Sequence, residues 1–129
     1  ISADLVIGSR LPVFCTSPGR AMLAHLPAAV ADDILSAGPL HAHTPHTITD
    51  RKTLTARLED VRSNGFETAF QETFSGDLSI AAPIFRKDGR VCAAVNIAVA
   101  TPRWSPERVI DELAPVVVET ARAISANGW

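Results

Sequence analysis

Three histidines stand close together in His41-Ala42-His43-Thr44-Pro45-His46. Imidazoles two apart on an extended chain point to one side, so this run could hold a zinc ion and make the chain a metal-dependent small-molecule enzyme. The loop offers no cysteine or carboxylate to complete the ligand set, and solvated histidines beside Thr and Pro need no ligand at all. The enzyme is kept as the alternative reading; the main one expects no catalytic residue, metal or cofactor. Nucleophilic chemistry has less support. Cys15 and Ser17 are candidates, but there is no Gly-x-Ser-x-Gly elbow and no histidine placed to act as a base. Cys92 between Val91 and Ala93 reads as a small apolar residue. Glu72 reads as a solvated or paired carboxylate rather than a general base.

A second kind of chemistry is anion binding. Thr16-Ser17-Pro18-Gly19-Arg20 opens a helix, and the N–H groups of Gly19 and Arg20 would lie at a terminus carrying roughly half a positive charge. Either this is an ordinary cap that satisfies its own backbone, or a carboxylate sits there, held also by the Ser17 hydroxyl with Arg10 as charge partner. Further on, Ala81-Ala82, Ala93-Ala94, Ala98 and Ala100 put small side chains on apolar strands. They serve either close helix packing or a cavity for a compact ligand. Asn96, between Val95 and Ile97, must satisfy backbone groups internally or face that ligand.

The elements that would position these groups follow from local signals. Leu5 to Ile7 reads as a short strand ended by Gly8, and Pro12 to Cys15 as a second extended piece. Ser17 as N-cap with Pro18 at the first helical position predicts a helix through Ala24. Pro27 predicts another over Ala28 to Ala37, closed by Gly38-Pro39. Leu40 to Thr49 is a surface loop by composition. Asp50 or Thr49 caps a helix with Leu54, Leu58 and Val61 on one face, and Gly65 ends it. Phe66 to Phe74 is strand-like, Gly76-Asp77 is a turn, and Leu78 to Phe85 is an apolar strand whose Pro83 must sit at an edge or bulge. Asp88-Gly89 makes a hairpin turn into Val91 to Ala100. Neither strand alternates cleanly, so both sheet faces should be at least partly covered. Ser105-Pro106-Glu107 opens a last helix to about Asn127, with a kink expected at Pro115. This order predicts an antiparallel α+β domain.

Composition closes off other classes. The 129 residues suit one core, 47% of them are hydrophobic and 20% charged, and the disorder signature is absent. Twelve Lys and Arg against fourteen Asp and Glu give a net charge of −2, with no basic stripe for a phosphate backbone. No apolar run approaches the roughly 20 residues of a bilayer span and no signal peptide opens the chain, so a cytoplasmic protein without membrane contact is expected. Cys15 and Cys92 are expected as free thiols. The chain starts Ile1-Ser2-Ala3-Asp4 without an initiator Met, and it is read as a fragment, truncated at its N-terminus.

Five segments together resemble one family: Gly8-Ser9-Arg10-Leu11-Pro12, Gly19-Arg20-Ala21-Met22-Leu23-Ala24, Thr44 to Asp50, Val61 to Phe66, and Ile80-Ala81-Ala82-Pro83-Ile84. In this order and spacing they resemble the effector-binding domain of the IclR family of bacterial transcription regulators, across residues 1–129. The resemblance implies a GAF-like fold, an antiparallel sheet flanked by helices. It implies a small-molecule sensor, with allosteric control of DNA binding or activation in the full-length protein. It also implies a homodimer or homotetramer that touches DNA only through a winged helix-turn-helix domain absent from this chain.

The resemblance also implies pocket positions. The loop before the helical Gly-Arg presents backbone N–H groups to a ligand carboxylate, which falls on Ser17 and Pro18 ahead of Gly19-Arg20; Pro18 departs from the usual small residue and brings no N–H. An acidic contact of glyoxylate-type members matches Ala69, a frequent Cys matches Ser79, and two polar positions on the last strand match Asn96 and Ala98. Loss of the acid at Ala69 and of one hydroxyl at Ala98 favours a larger, flatter ligand than a two-carbon acid. The run Arg10 to Ser17 is similar to the branch that regulates aromatic-acid catabolism through the β-ketoadipate pathway, so the expected signal is an aromatic carboxylate.

Overall fold

The computed structural model describes residues 5–128. Three helices come first: α1 (Ser17–Leu23), α2 (Ala28–Ser36) and α3 (Arg51–Asn64). Three strands follow, β1 (Glu67–Phe70), β2 (Asp77–Phe85) and β3 (Val91–Ala100), and then a C-terminal helical stretch. This stretch runs from α4 (Pro106–Arg108) through a π-helical turn (Val109–Leu113) into α5 (Ala114–Ala126). The strands form one antiparallel sheet in the order β1-β2-β3. The fold is α+β, as the element order predicts.

α3 shows how local chemistry sets an element. The Asp50 carboxylate accepts the Thr53 N–H at its start, and Gly65 ends it in the left-handed region at φ 82°. Between them Leu54, Leu58 and Val61 recur on one buried face and pack with Leu23, Ala24, Ala31 and Leu35 from α1 and α2. A second core lies across the sheet, where Leu78, Ile80, Ala82 and Ile84 of β2 meet Val109, Val117 and Ala121. The opposite face of β2 carries Ser79 and Ala81 against α1, so both faces of this strand are buried, whereas β3 leaves Asn96, Ala98 and Ala100 exposed.

Pro83 sits in the middle strand, yet the edge expectation holds there. β1 pairs only with Leu78 to Ala81, so from Ala82 onward β2 has β3 alone as partner, and a register irregularity follows at Ile84/Phe85. The Gln71 N–H reaches the Asp77 carbonyl on the β1 side, and the Phe85 N–H reaches the Ser125 hydroxyl. By strand alternation, Pro83 would aim its missing N–H toward this same side, where β1 has already ended.

Several local expectations are corrected. Leu5 to Ile7 forms no strand; it is an exposed turn, because three apolar residues have no pairing strand among the described residues. Pro12 to Cys15 is a bend and turn held by the Thr16 hydroxyl donating to the Pro12 carbonyl at 2.8 Å. The N-cap of α1 is Thr16, one residue before Ser17, with its side chain accepting from the Gly19 N–H. β1 stops at Phe70, where Gln71 turns the chain at φ 57°. Pro115 stands at the start of α5 directly after the π turn, so a change of helical register occupies the place of a kink. Asp88-Gly89 makes the expected turn, with the Arg86 N–H donating to the Arg90 carbonyl.

Candidate functional site

The charged centre of the domain is Arg20, whose side chain is wholly buried. Its Nε donates to Glu67 Oε2 at 2.8 Å, and its two terminal nitrogens take Glu72 Oε1 at 2.7 Å and Oε2 at 2.6 Å. The same nitrogens also reach the carbonyls of Phe14 and Thr68. Arg57 on α3 adds a second guanidinium to Glu67 and donates to the Thr68 hydroxyl and carbonyl. Burial pushes against the Arg20 charge, but the Glu72 hydrogen bonds and the Glu67 charge outweigh it and hold the guanidinium protonated more firmly than usual. A fork of this shape can satisfy two carboxylates and two carbonyls at once, which a lysine cannot.

This clamp fixes a wall. Glu72 and its neighbour Thr73 face a cavity of about 240 Å³, whose other lining includes Thr16, Pro18, Ala69, Asp77, Ser79, Asn96 and Ala98. The strand register sets the floor: Ala69 lies opposite Ser79, Ser79 opposite Ala98, and Ala81 opposite Asn96. Small side chains at Ala69, Ser79 and Ala98 leave the floor low beneath α1. At its back the Ser17 and Ser79 hydroxyls share a short buried hydrogen bond. The Thr73 hydroxyl donates to the Cys15 carbonyl at 3.1 Å and lies 3.4 Å from its sulfur; burial raises the Cys15 thiol pKa despite that contact.

Of the nine residues singled out in the sequence, Pro18, Ala69, Ser79, Asn96 and Ala98 are brought together around this cavity. Ser17 lies behind it, bonded to Ser79. The anion donors expected at Gly19 and Arg20 are already used: the Gly19 N–H goes to Thr16 Oγ1 at 3.2 Å, and the Arg20 N–H to the Thr16 carbonyl at 3.0 Å. The cap satisfies its own backbone, the plainer of the two alternatives. Arg10 is exposed and stands outside the cavity lining. Thr16, Glu72, Thr73 and Asp77 are wall residues that the sequence reading did not place there. Asp77 was legible in principle, since it shares a strand face with Ser79 two residues on.

The histidine loop has another role. The Thr44 hydroxyl donates to the Gln71 carbonyl and the Thr47 hydroxyl to the Glu72 carbonyl, while the Ile48 N–H reaches Glu72 Oε1 at 3.3 Å. The threonines thus pin the loop to the chain just after β1, and His41, His43 and His46 are exposed, the His43 ring lying tilted beside Phe14 at 6.2 Å. Among the described residues no group of three His, Cys, Asp or Glu is placed to hold a metal ion.

The family described as bacterial transcriptional regulator IclR, C-terminal, matches residues 1–126. The chain belongs to the IclR family. This IclR domain is 34% identical over 122 residues to the Pca regulon regulatory protein of Pseudomonas putida, covering 95% of this chain and 42% of that protein. The crystal structure of a transcriptional regulator from Rhodococcus sp. RHA1 superposes at a TM-score of 0.92 with 37% identity, covering 98% of this chain and 51% of that one. The PobR inducer-binding domain from Acinetobacter, solved as a double mutant with 3-hydroxybenzoic acid, superposes at 0.87 with 31% identity, covering 96% of this chain and 73% of that one. The IclR domain spans less than half the length of the curated relatives it matches. These relatives are transcriptional regulators, which favours the regulator reading over the metal-dependent enzyme at His41, His43 and His46. Among the described residues no helix is long and apolar enough to cross a membrane.

Proposed function

We propose that this IclR domain is the signal-receiving part of a cytoplasmic transcriptional regulator, and that the signal is a small aromatic acid seated between α1 and the sheet. In this reading the rest of the effector-binding domain and a winged helix-turn-helix reader lie outside the chain, and the regulator works as a homodimer or homotetramer. The observation that carries the ligand class is the low cavity floor of Ala69, Ser79 and Ala98. A flat ring fits such a slot, while a two-carbon acid would leave most of it unfilled. The names of relatives agree: one is the p-hydroxybenzoate hydroxylase transcriptional activator of Acinetobacter baylyi, 32% identical over 118 residues. The backbone donors at Gly19 and Arg20 take no part; polar contacts to the ligand come from Ser79 and Asn96.

A thermal-shift panel tests this. Benzoate, 3-hydroxybenzoate, 4-hydroxybenzoate and protocatechuate are set against glyoxylate and pyruvate. An aromatic acid at 100 times its dissociation constant stabilises the domain by about 2.7 kcal/mol. Ala98→Leu, which fills the slot, removes that stabilisation while the unliganded melt stays close to wild type. Stabilisation by the short acids alone sinks the aromatic assignment.

A further inference from the structure

The polarity of the cavity says more than its shape. Among the described residues its lining contains no Lys, Arg or His, and it contains two carboxyl groups, Glu72 and Asp77. Glu72 is committed to Arg20 through both oxygens. Asp77 is different: it is half-buried at the start of β2, and among the described residues no hydrogen bond or ion pair reaches its carboxyl group, whose pKa burial alone raises. A carboxylate held partly out of water without a partner is costly, and a ligand donor placed against it relieves that cost.

The strand register puts a complementary group at the other end. Asp77 lies opposite Ala100 and Asn96 opposite Ala81, with the Ser79 and Ala98 pair between them. Asp77 and Ala81, the partner of Asn96, are four residues apart on one strand face, roughly 13 Å at ~3.3 Å per residue, and the Asp77 and Asn96 side chains both border the cavity. One end therefore offers a pure acceptor and the other an amide that can donate. The cavity volume of about 240 Å³ equals that of about eight liquid waters at ~30 Å³ each, enough for one substituted ring.

Building on the proposed aromatic-acid signal, we infer that Asp77 is a specificity-determining residue that selects ligands carrying a hydroxyl group, taking the hydroxyl at its own end and directing the ligand carboxylate toward Asn96. The family resemblance places an acidic ligand contact at the position of Ala69, which has no acid here. Asp77 supplies one from the neighbouring strand, two residues along from Ser79, the partner of Ala69. Its negative charge also disfavours the reversed pose, in which two carboxylates would meet.

Calorimetric titration of the 129-residue chain with benzoate, 3-hydroxybenzoate and 4-hydroxybenzoate tests the assignment. The better hydroxybenzoate should bind the wild type about 10- to 150-fold more tightly than benzoate, the range of one hydrogen bond to a charged group. Asp77→Leu should abolish this preference and bind benzoate as well as the wild type or better, because the repelling charge is gone. Asp77→Asn, which keeps the side-chain shape and covers a failure of the leucine variant to fold, should cut the preference to about 2- to 10-fold. Binding of the aromatic acids with the hydroxyl preference intact in both variants overturns the role of Asp77 and leaves the aromatic-acid reading standing. Failure of these three acids and of protocatechuate to bind the wild type overturns both.

Discussion

Arg20 and Glu72 meet in a two-pronged ion pair with contacts of 2.7 and 2.6 Å, 52 residues apart in sequence, and the guanidinium has no exposed surface. The pair joins α1 to the cavity wall and, through Glu72, to the loop at Ile48. Removing the cation strands two buried carboxylates, only one of which, Glu67, keeps a second arginine. Arg20→Met should cost about 3–5 kcal/mol of unfolding free energy, as for other broken buried pairs. Arg20→Lys should also destabilise, because a point charge cannot replace the fork. Urea denaturation of both variants checks this, and a loss below 1 kcal/mol for Arg20→Met would show that the clamp contributes little.

The Ser17 and Ser79 hydroxyls depend on each other in a similar way. Both residues are buried, and each hydroxyl is the other's partner across the α1–β2 contact. Either single alanine variant leaves one hydroxyl unsatisfied, at a cost of about 1–3 kcal/mol. The double variant should cost less than the sum of the two, because neither polar group remains. A double-mutant cycle on chemical denaturation measures that coupling; strict additivity would mean the hydroxyls do not interact.

Two glycines should respond to alanine for different reasons. A Cβ on Gly19 would lie 2.6 Å from Thr16 Oγ1 and 2.7 Å from the Val13 Cα, so the turn before α1 must open. Gly19→Ala should cost about 1–3 kcal/mol and disturb the Pro18 side of the cavity. At Gly65 nothing lies within 4 Å, and only the backbone angle of 82° resists a side chain. Gly65→Ala should cost about 1–2 kcal/mol, and Gly65→Asn less, since Asn tolerates the left-handed region. A melting series over the three variants tests the contrast.

Two groups should leave opposite marks on stability as pH changes. Burial raises the Asp77 carboxyl above its ordinary value, so near its titration range the folded state binds more protons than the unfolded one. Asp77 therefore opposes folding at neutral pH, and the penalty fades as pH falls through its folded pKa; Asp77→Asn should stabilise at pH 7 with a gain that shrinks in acid. Burial, with the Arg62 charge, lowers His25, whose ring stands edge-on to Phe85 at 5.1 Å. The neutral ring favours folding above the unfolded histidine pKa near 6.5, and that contribution is lost as pH drops below it. His25→Phe should flatten this slope. Denaturation midpoints from pH 4 to 8 give both curves, and parallel curves for variant and wild type would refute each claim.

Signals that act over three to five residues were legible in the sequence and survive in the structure. Asp50 and Gly65 bound α3, Leu54, Leu58 and Val61 give its buried face, and Asp88-Gly89 turns the β2–β3 hairpin. Each depends on a cap, a period or a turn angle that neighbouring residues settle among themselves. The family resemblance and the small floor residues Ala69, Ser79 and Ala98 were equally readable, because a motif is a local pattern too. The direction of Arg20 was not. An arginine in the first helix reads as a surface residue until Glu67 and Glu72, 47 and 52 positions away, are brought beneath it. The same long-range pairing turned Glu72 into a wall and left the Asp77 carboxyl without a partner, whereas the Gly19 and Arg20 N–H groups were taken locally by the Thr16 cap. Whether a polar group is buried, and what then satisfies it, depends on which distant groups the packed chain removes from water along with it, so only the tertiary structure could decide these roles.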